Sequence, residues 1–347
     1  MGSSLSPFAA LLVAVISAPA FAAAPAPTPV TPQLIAAAKT EGKGVFYTAI
    51  DLKVAEGLAK TFERAYPGVA VQIERIGSER MFQRLQQERA SNIYSADVLD
   101  GSDQAMFVTF KRQGILEAFV PADVAAKWPA DQRDPDGQYA SVRFTLMPIS
   151  YNKNLVKPEE APKSFADLLD PKWTGKMVKA HPGYSGGIVT STFQISRDLG
   201  WEYFRKLAKQ KVMQVQSATE PPKKLALGER AVAADGLEYV SNLEKEKGSP
   251  IEIVYPSEGT PFVPGCAAMV KNAPHPSAAK LFMSFLFSQP AQQFLADAGG
   301  MRSFHPDVML KAGRTPLAQI KLMKSDPDAQ EKATDTLKMK YTEYFGI

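Results

Sequence analysis

Gly44-Val45-Phe46-Tyr47 runs into Thr48-Ala49-Ile50-Asp51, Val69 to Ile76 runs into Gly77-Ser78-Glu79, and Ala96-Asp97-Val98-Leu99 runs into Asp100-Gly101-Ser102-Asp103. Each stretch is a short β-like run that ends in a small polar turn and opens an amphipathic helix. Strands that alternate with helices predict an α/β fold with a mixed, mostly parallel sheet flanked by helices. In such a sheet the strand-to-helix turns collect along one edge, where ligands bind. Each turn also offers free backbone N–H groups and the positive end of a helix dipole. Several such ends facing one space favour a small ligand that carries negative charge.

The segments around these turns have matching periods. Val54, Leu58 and Phe62 recur on one helical face until Tyr66-Pro67-Gly68 stops the helix, and Val69, Val71 and Ile73 alternate along the next strand. A second α/β unit opens at Met177–Ala180 and turns through His181-Pro182-Gly183-Tyr184-Ser185-Gly186-Gly187 into a helix with Ile188, Thr192, Ile195 and Leu199 on one face. Val212–Gln216 and Ala231–Ala234 are further strands, the second ending in Asp235-Gly236-Leu237-Glu238-Tyr239. Ser141–Tyr151 and Ser257–Pro264 read as extended segments that cross between the two units.

The 347 residues suit about two domains, and 45% hydrophobic residues supply real cores. The formal charge of +4 comes without a Lys/Arg block, so a nucleic-acid partner is not expected. Residues 1–38 carry no charged side chain. Phe8–Ile16 is an apolar run too short to span a bilayer, and Ala20-Phe21-Ala22 precedes Ala23 as a cleavage site. Residues 1–22 are therefore read as a signal peptide and 23–32, with four prolines, as a loose arm. Cys266 is the only cysteine, so neither a disulfide nor a lipid anchor is expected, and the exported chain is placed soluble in a periplasm.

The turns supply the candidate ligand-binding residues: Thr48, Ala49, Gly77, Ser78, Glu79, Gly101 and Ser102 in the first unit, and His181, Tyr184, Ser185, Gly186, Glu238 and Tyr239 in the second. Ser78 is read both as a helix cap and as a donor to a ligand oxygen. Glu74, Glu79 and Glu220 are candidates to hold an amine, and Lys223-Lys224 to add positive charge. Neither a cofactor nor a metal is expected: the three histidines, His181, His275 and His305, have no metal-ligand spacing. Gly183-Tyr184-Ser185-Gly186-Gly187 also matches the G-x-S-x-G nucleophile elbow of serine hydrolases, with Asp235 and His275 or His305 available to complete a triad. No Gly-rich turn precedes it to make an oxyanion hole. The hydrolase is the alternative reading.

Taken in order, these parts resemble the bacterial extracellular solute-binding proteins of ABC importers, over nearly the whole chain after the leader. Val45-Phe46-Tyr47-Thr48-Ala49, Ala96-Asp97-Val98-Leu99, Ile149-Ser150-Tyr151-Asn152-Lys153-Asn154-Leu155-Val156 and Pro274-His275-Pro276-Ser277-Ala278-Ala279-Lys280 look like the ferric-iron-type branch of the type 2 periplasmic binding fold. That branch also includes binders of phosphonates, sugar phosphates, thiamine and polyamines. The resemblance implies two lobes, one from 33–142 plus 264–347 and one from 143–263, hinged near Arg143–Thr145 and Pro261–Pro264. It implies a monomer that closes on a small solute and delivers it to an ABC permease, without chemistry. Iron binders of the branch use two adjacent tyrosines. The matching place here reads Glu238-Tyr239, so Tyr239 alone would face a ferric ion, short of the paired phenolates that a hard cation wants.

Overall fold

The computed structural model describes residues 24–346, so the expected leader lies outside the described residues. Two sheets form. The strands are β1 (Lys43–Thr48), β2 (Ala70–Arg75), β3 (Val98–Gly101), β4 (Leu116–Glu117), β5 (Ala140–Leu146), β6 (Ile149–Asn152), β7 (Met177–Ala180), β8 (Met213–Val215), β9 (Val232–Ala233), β10 (Ile251–Val254) and β11 (Phe262–Val270). The first sheet runs β2-β1-β3-β11-β4 with β5 added on β11, and the second runs β10-β6-β9-β7-β8. Each sheet with its helices is one lobe.

Both sheets are mixed. Parallel pairing joins β1 to β2 and β3, and β7 to β8 and β9. The crossing strands β5, β6, β10 and β11 enter antiparallel, so parallel pairing is less dominant than strand–helix alternation alone predicts. A strand that arrives from the other lobe needs no βαβ crossover and is free to run against its neighbour.

The helices of the first lobe begin with α1 (Pro32–Glu41), α2 (Leu52–Ala65), α3 (Ser78–Ala90), α4 (Gln104–Arg112) and α5 (Ala122–Lys127). Those of the second are α6 (Gly186–Leu199), α7 (Trp201–Ala208), α8 (Glu220–Ala226) and α9 (Glu238–Glu246), followed by α10 (Pro276–Leu286), α11 (Gln289–Asp297) and α12 (Pro327–Phe345). The predicted face of α2 is buried, and Phe62 packs edge-on against Phe282 of α10 at 5.1 Å. Asp97 ties the same corner together. Its carboxylate accepts from Val45 N (2.7 Å), His275 N (2.7 Å) and His275 Nδ1 (2.8 Å), which fixes the entry to α10.

Three contacts bear on the expected lobe division. In the arm, Thr28 N donates to Val120 O at 2.9 Å. Arg143–Thr145 is paired with Gly265–Val263 in the ladder of β5 and β11, next to a register shift between Gly265 and Cys266. The chain changes sheets later, at Met147-Pro148, where Met147 N donates to Pro261 O at 3.0 Å. The tail also divides between lobes. Ala278, Leu281 and Phe282 of α10 pack in the first core, whereas Leu337 and Tyr341 of α12 are buried against α6 and α7 of the second.

Candidate functional site

The ends of β1, β2 and β3 align along one edge, because Ile76 N donates to Thr48 O (2.9 Å) and Ala49 N to Asp100 O (3.0 Å). The helices that follow begin there and face the second lobe across a cleft. Gly77 is the N-cap of α3 and Ser78 its first residue, so Ser78 is not the cap; its Oγ accepts from Ser102 N at 3.0 Å instead. Ser185 is the N-cap position of α6, and its side chain makes no capping bond, which leaves the Oγ available.

The lobes meet closely at this point. A Cβ on Gly186 would lie 2.8 Å from Ser78 Cβ and 2.7 Å from Asp103 Cβ, and one on Gly77 would lie 3.0 Å from Tyr184 O. Two arginines complete the contact: Arg80 Nη2 donates to Gln216 Oε1 at 2.6 Å and Arg75 Nη2 to Ser217 Oγ at 3.4 Å. Between them is a cavity of about 250 Å³, room for a small solute.

Of the residues singled out in the sequence, Ala49, Gly77, Ser78, Ser102, Tyr184, Ser185, Glu220 and Tyr239 line this cavity. The others sit elsewhere for definable reasons. Thr48 is buried and donates from Oγ1 to Asp100 Oδ2 at 2.8 Å. Gly101 backs onto Met106 and Phe107, and Gly186 is the lobe contact just described. Glu79 turns to Lys338 of α12. His181 Nδ1 accepts from Gly183 N at 2.9 Å and shapes its own turn; burial, with Lys179 nearby, holds its pKa below the usual histidine value. Glu238 is held away from the cavity by Arg302 through two 2.8 Å bonds and by Tyr255 Oη at 2.5 Å. Glu74 pairs with Arg84, Lys223 with Asp51 and Lys224 with Glu229.

The strongest charges of the cleft are Arg75, Arg80 and Arg143; Arg80 closes the turn Gly77-Ser78-Glu79-Arg80, whereas the turn pattern names neither Arg75 nor Arg143. Gln216, Ser217, Ala218, Thr219 and Glu220 form a further strand-to-helix turn, on the opposite wall. That turn had a signal: Val212–Gln216 followed by Pro221-Pro222 has the same strand–turn–helix grammar as the opening stretches. Among the described residues Glu220 is the one carboxylate lining the cavity, and its Oε1 accepts from Ser217 N at 2.8 Å. Tyr239 is buried, which pushes its phenol up to about 12, so the neutral hydroxyl faces the cavity at neutral pH.

The triad of a serine hydrolase is not assembled. Asp235 is buried in an ion pair with Lys179 and accepts from Ser191 Oγ at 2.9 Å. His275 is committed to Asp97, and His305 lies edge-on to Trp128 with its Nδ1 accepting from Asp307 N at 3.2 Å. No histidine lines the cavity with Ser185 among the described residues. The elbow motif therefore marks a helix start that abuts the other lobe, where glycine is required for close approach.

A second cavity of about 160 Å³ lies between α3, α4 and α12. Asp103 caps α4 there, accepting from Ala105 N (3.0 Å) and Gln330 Nε2 (2.7 Å). Burial, with Glu79 beside it, pushes its carboxyl up to about 7. The folded protein thus binds this proton more tightly than the unfolded chain. Asp103's contribution to stability is fully present below the ordinary carboxylate range and is lost as pH rises to about 7. Urea midpoints measured from pH 4 to 8 should show a falling component that flattens in Asp103→Asn.

A two-lobe α/β protein whose chain crosses between the lobes beside an arginine-lined cleft has the architecture of a solute-binding protein. This chain belongs to the bacterial extracellular solute-binding protein family, whose model matches residues 57–330. It is 26% identical over 246 residues to Iron uptake protein A1 of Synechocystis sp., covering 67% of this chain and 68% of that protein. It is 26% identical over 235 residues to a putative 2-aminoethylphosphonate-binding periplasmic protein of Salmonella typhimurium, covering 65% and 66%. The fold matches that of the periplasmic binding protein AfuA of Actinobacillus pleuropneumoniae, solved with fructose-6-phosphate, with a TM-score of 0.82 at 25% identity over 88% of this chain and 99% of the other. Iron-bound HitA of Pseudomonas aeruginosa shares the fold with a TM-score of 0.76 at 21% identity, over 87% and 99%. The function is that of the solute-binding component of an ABC importer.

Proposed function

We propose that this protein traps a small organic anion, a phosphate ester, phosphonate or carboxylate, in the cleft and hands it to its permease. One observation carries the reading: Arg75, Arg80 and Arg143 and the N-termini of α3 and α6 converge on one cavity with a single carboxylate. Each helix end contributes about 0.3–1 kcal/mol to a nearby anion, more where partly buried. The names of two relatives, one a putative 2-aminoethylphosphonate-binding periplasmic protein and one solved with fructose-6-phosphate, point to the same ligand chemistry. A bare ferric ion would face three guanidinium groups and a neutral phenol. Iron would enter as an anionic complex. The protein works as an exported monomer, freed of residues 1–22, and it binds without turning its ligand over.

A thermal-shift screen tests this. A ligand at a hundred times its dissociation constant stabilises the fold by about 2.7 kcal/mol. Phosphate esters, phosphonates or carboxylates should raise the melting temperature, while neutral sugars and polyamines should not. A shift given only by neutral sugars or polyamines would contradict the reading. A fluorophosphonate probe should leave Ser185 unlabelled, because no base stands beside it.

A further inference from the structure

The three arginines of the cleft are not equivalent. Arg80 and Arg75 lie toward the rim and are already bonded across it, to Gln216 and Ser217. Arg143 is 4% exposed, sits on the crossing strand β5 at the floor of the cavity, and has Tyr239 lining the same space. Among the described residues its guanidinium makes one hydrogen bond, from Nη2 to Asp100 Oδ2, at 2.9 Å. Its Nε–H is buried with no partner. A buried guanidinium with an unused donor is costly unless something else fills it.

The surroundings of Arg143 fix where that donor sits. Asp100 Oδ2 also accepts from Thr48 Oγ1 at 2.8 Å, and Thr48 Oγ1 in turn accepts from Ile50 N at 3.1 Å. The carboxylate is thereby clamped from the β1 side while it holds the guanidinium from the β3 side. Across the ladder, Gly265 is the register partner of Arg143. A Cβ on Gly265 would lie 2.0 Å from Arg143 Nη1 and 2.7 Å from Cζ, so the guanidinium occupies the space that a side chain there would need. Any substitution there displaces it.

We propose that Arg143 is the anchor for the anionic group of the ligand, and that Thr48, Asp100 and Gly265 are positioning residues that hold its guanidinium toward the cleft. This rests on the anion-binding reading above and assigns its centre. Asp100 keeps the guanidinium charged and oriented inside the fold, and its planar fork leaves an edge for two oxygens of a phosphoryl, phosphonyl or carboxyl group. Because Arg143 lies on a crossing strand, the anchor is fixed to the junction about which the lobes close. Arg75 and Arg80 then act as rim groups, which attract the anion and bind across the closed cleft. Thr48 was read in the sequence as a direct ligand contact; its role becomes indirect.

The experiment is calorimetric titration with inorganic phosphate, methylphosphonate and glycerol 3-phosphate, with the melting temperature of each ligand-free variant as a check on folding. For whichever probes the parent protein binds, Arg143→Gln should weaken affinity roughly 10- to 100-fold, the loss of hydrogen bonds to a charged group. Gly265→Ala should weaken it comparably. The double variant Arg143→Gln/Gly265→Ala should be no worse than Arg143→Gln alone, since both changes remove the same contact. Thr48→Val should weaken binding and Thr48→Ser should restore it, a rescue that a purely structural role for the methyl group would not give. Arg143→Lys keeps the charge without the fork and should lie between parent and glutamine; it also serves if Arg143→Gln does not fold. If the parent binds a probe and Arg143→Gln and Arg143→Lys bind it within twofold of the parent, the anchor assignment is wrong while the anion reading stands. Additive losses in the double variant would also overturn it. If the parent binds none of the three probes or any carboxylate, the anion reading fails, and the anchor with it.

Discussion

Gly186→Val should weaken ligand binding roughly 5- to 150-fold and leave the fold of the ligand-free protein intact. The backbone of α6 at Gly186 comes so near Ser78 and Asp103 that even a Cβ would lie 2.7–2.8 Å from their Cβ atoms. Those two residues begin α3 and cap α4 in the first lobe, whereas Gly186 begins α6 in the second. The clash therefore exists only when the lobes are together. Overpacking of this kind costs about 1–3 kcal/mol, and here the whole cost falls on the closed state. A ligand that binds by favouring closure loses that amount of affinity. Calorimetry gives the affinity, and small-angle scattering of the variant with ligand should show a more open particle than the parent with ligand. Unchanged affinity in Gly186→Val would mean that the ligand does not need the lobes to meet.

Asp235→Ala should lower stability by about 3–5 kcal/mol, because it strands a buried ammonium. Lys179 and Asp235 are each about 1% exposed at their side chains and form an ion pair beneath α12. Lys179 Nζ also lies 5.6 Å from the centre of the Tyr341 ring and 6.0 Å from that of Phe204. Burial pushes the lysine pKa down and the aspartate pKa up, so each depends on the other to stay charged. The double variant Lys179→Met/Asp235→Leu should recover most of the loss, since replacing both partners by apolar groups is often neutral or better. Urea unfolding measures both. Equal losses in single and double variants would show that the pair itself, and not the stranded charge, sets the stability.

Much of the fold was legible because a strand-to-helix turn writes both its period change and its polar cap in consecutive residues. Thr48–Asp51, Gly77–Glu79 and Asp100–Asp103 all proved to be such turns at one sheet edge. Side-chain direction was harder to read. Glu238 and Tyr239 are neighbours on α9, and one turns to Arg302 while the other faces the cavity. Nothing local in the pair Glu238-Tyr239 says which does which; the partner of Glu238 lies 64 residues away. Arg143 was hidden for a similar reason. Arg143 and Thr145 share one face of β5 by strand alternation, and both line the cavity, but that face is identified only once β11 pairs alongside. The tail after Asp328 was recognisably helical, whereas its seat across both lobes depends on Leu337 and Tyr341 finding apolar partners in the second.

The most direct measurement is mass spectrometry of the small molecules released when freshly purified protein, exported by its host, is denatured. The account predicts a near-stoichiometric small anion bearing a phosphoryl, phosphonyl or carboxyl group, free or as a metal complex, and its loss from Arg143→Gln prepared the same way. Release of a neutral sugar or a polyamine, or of iron without an accompanying anion and with a tyrosinate charge-transfer band that disappears in Tyr239→Phe, would contradict it.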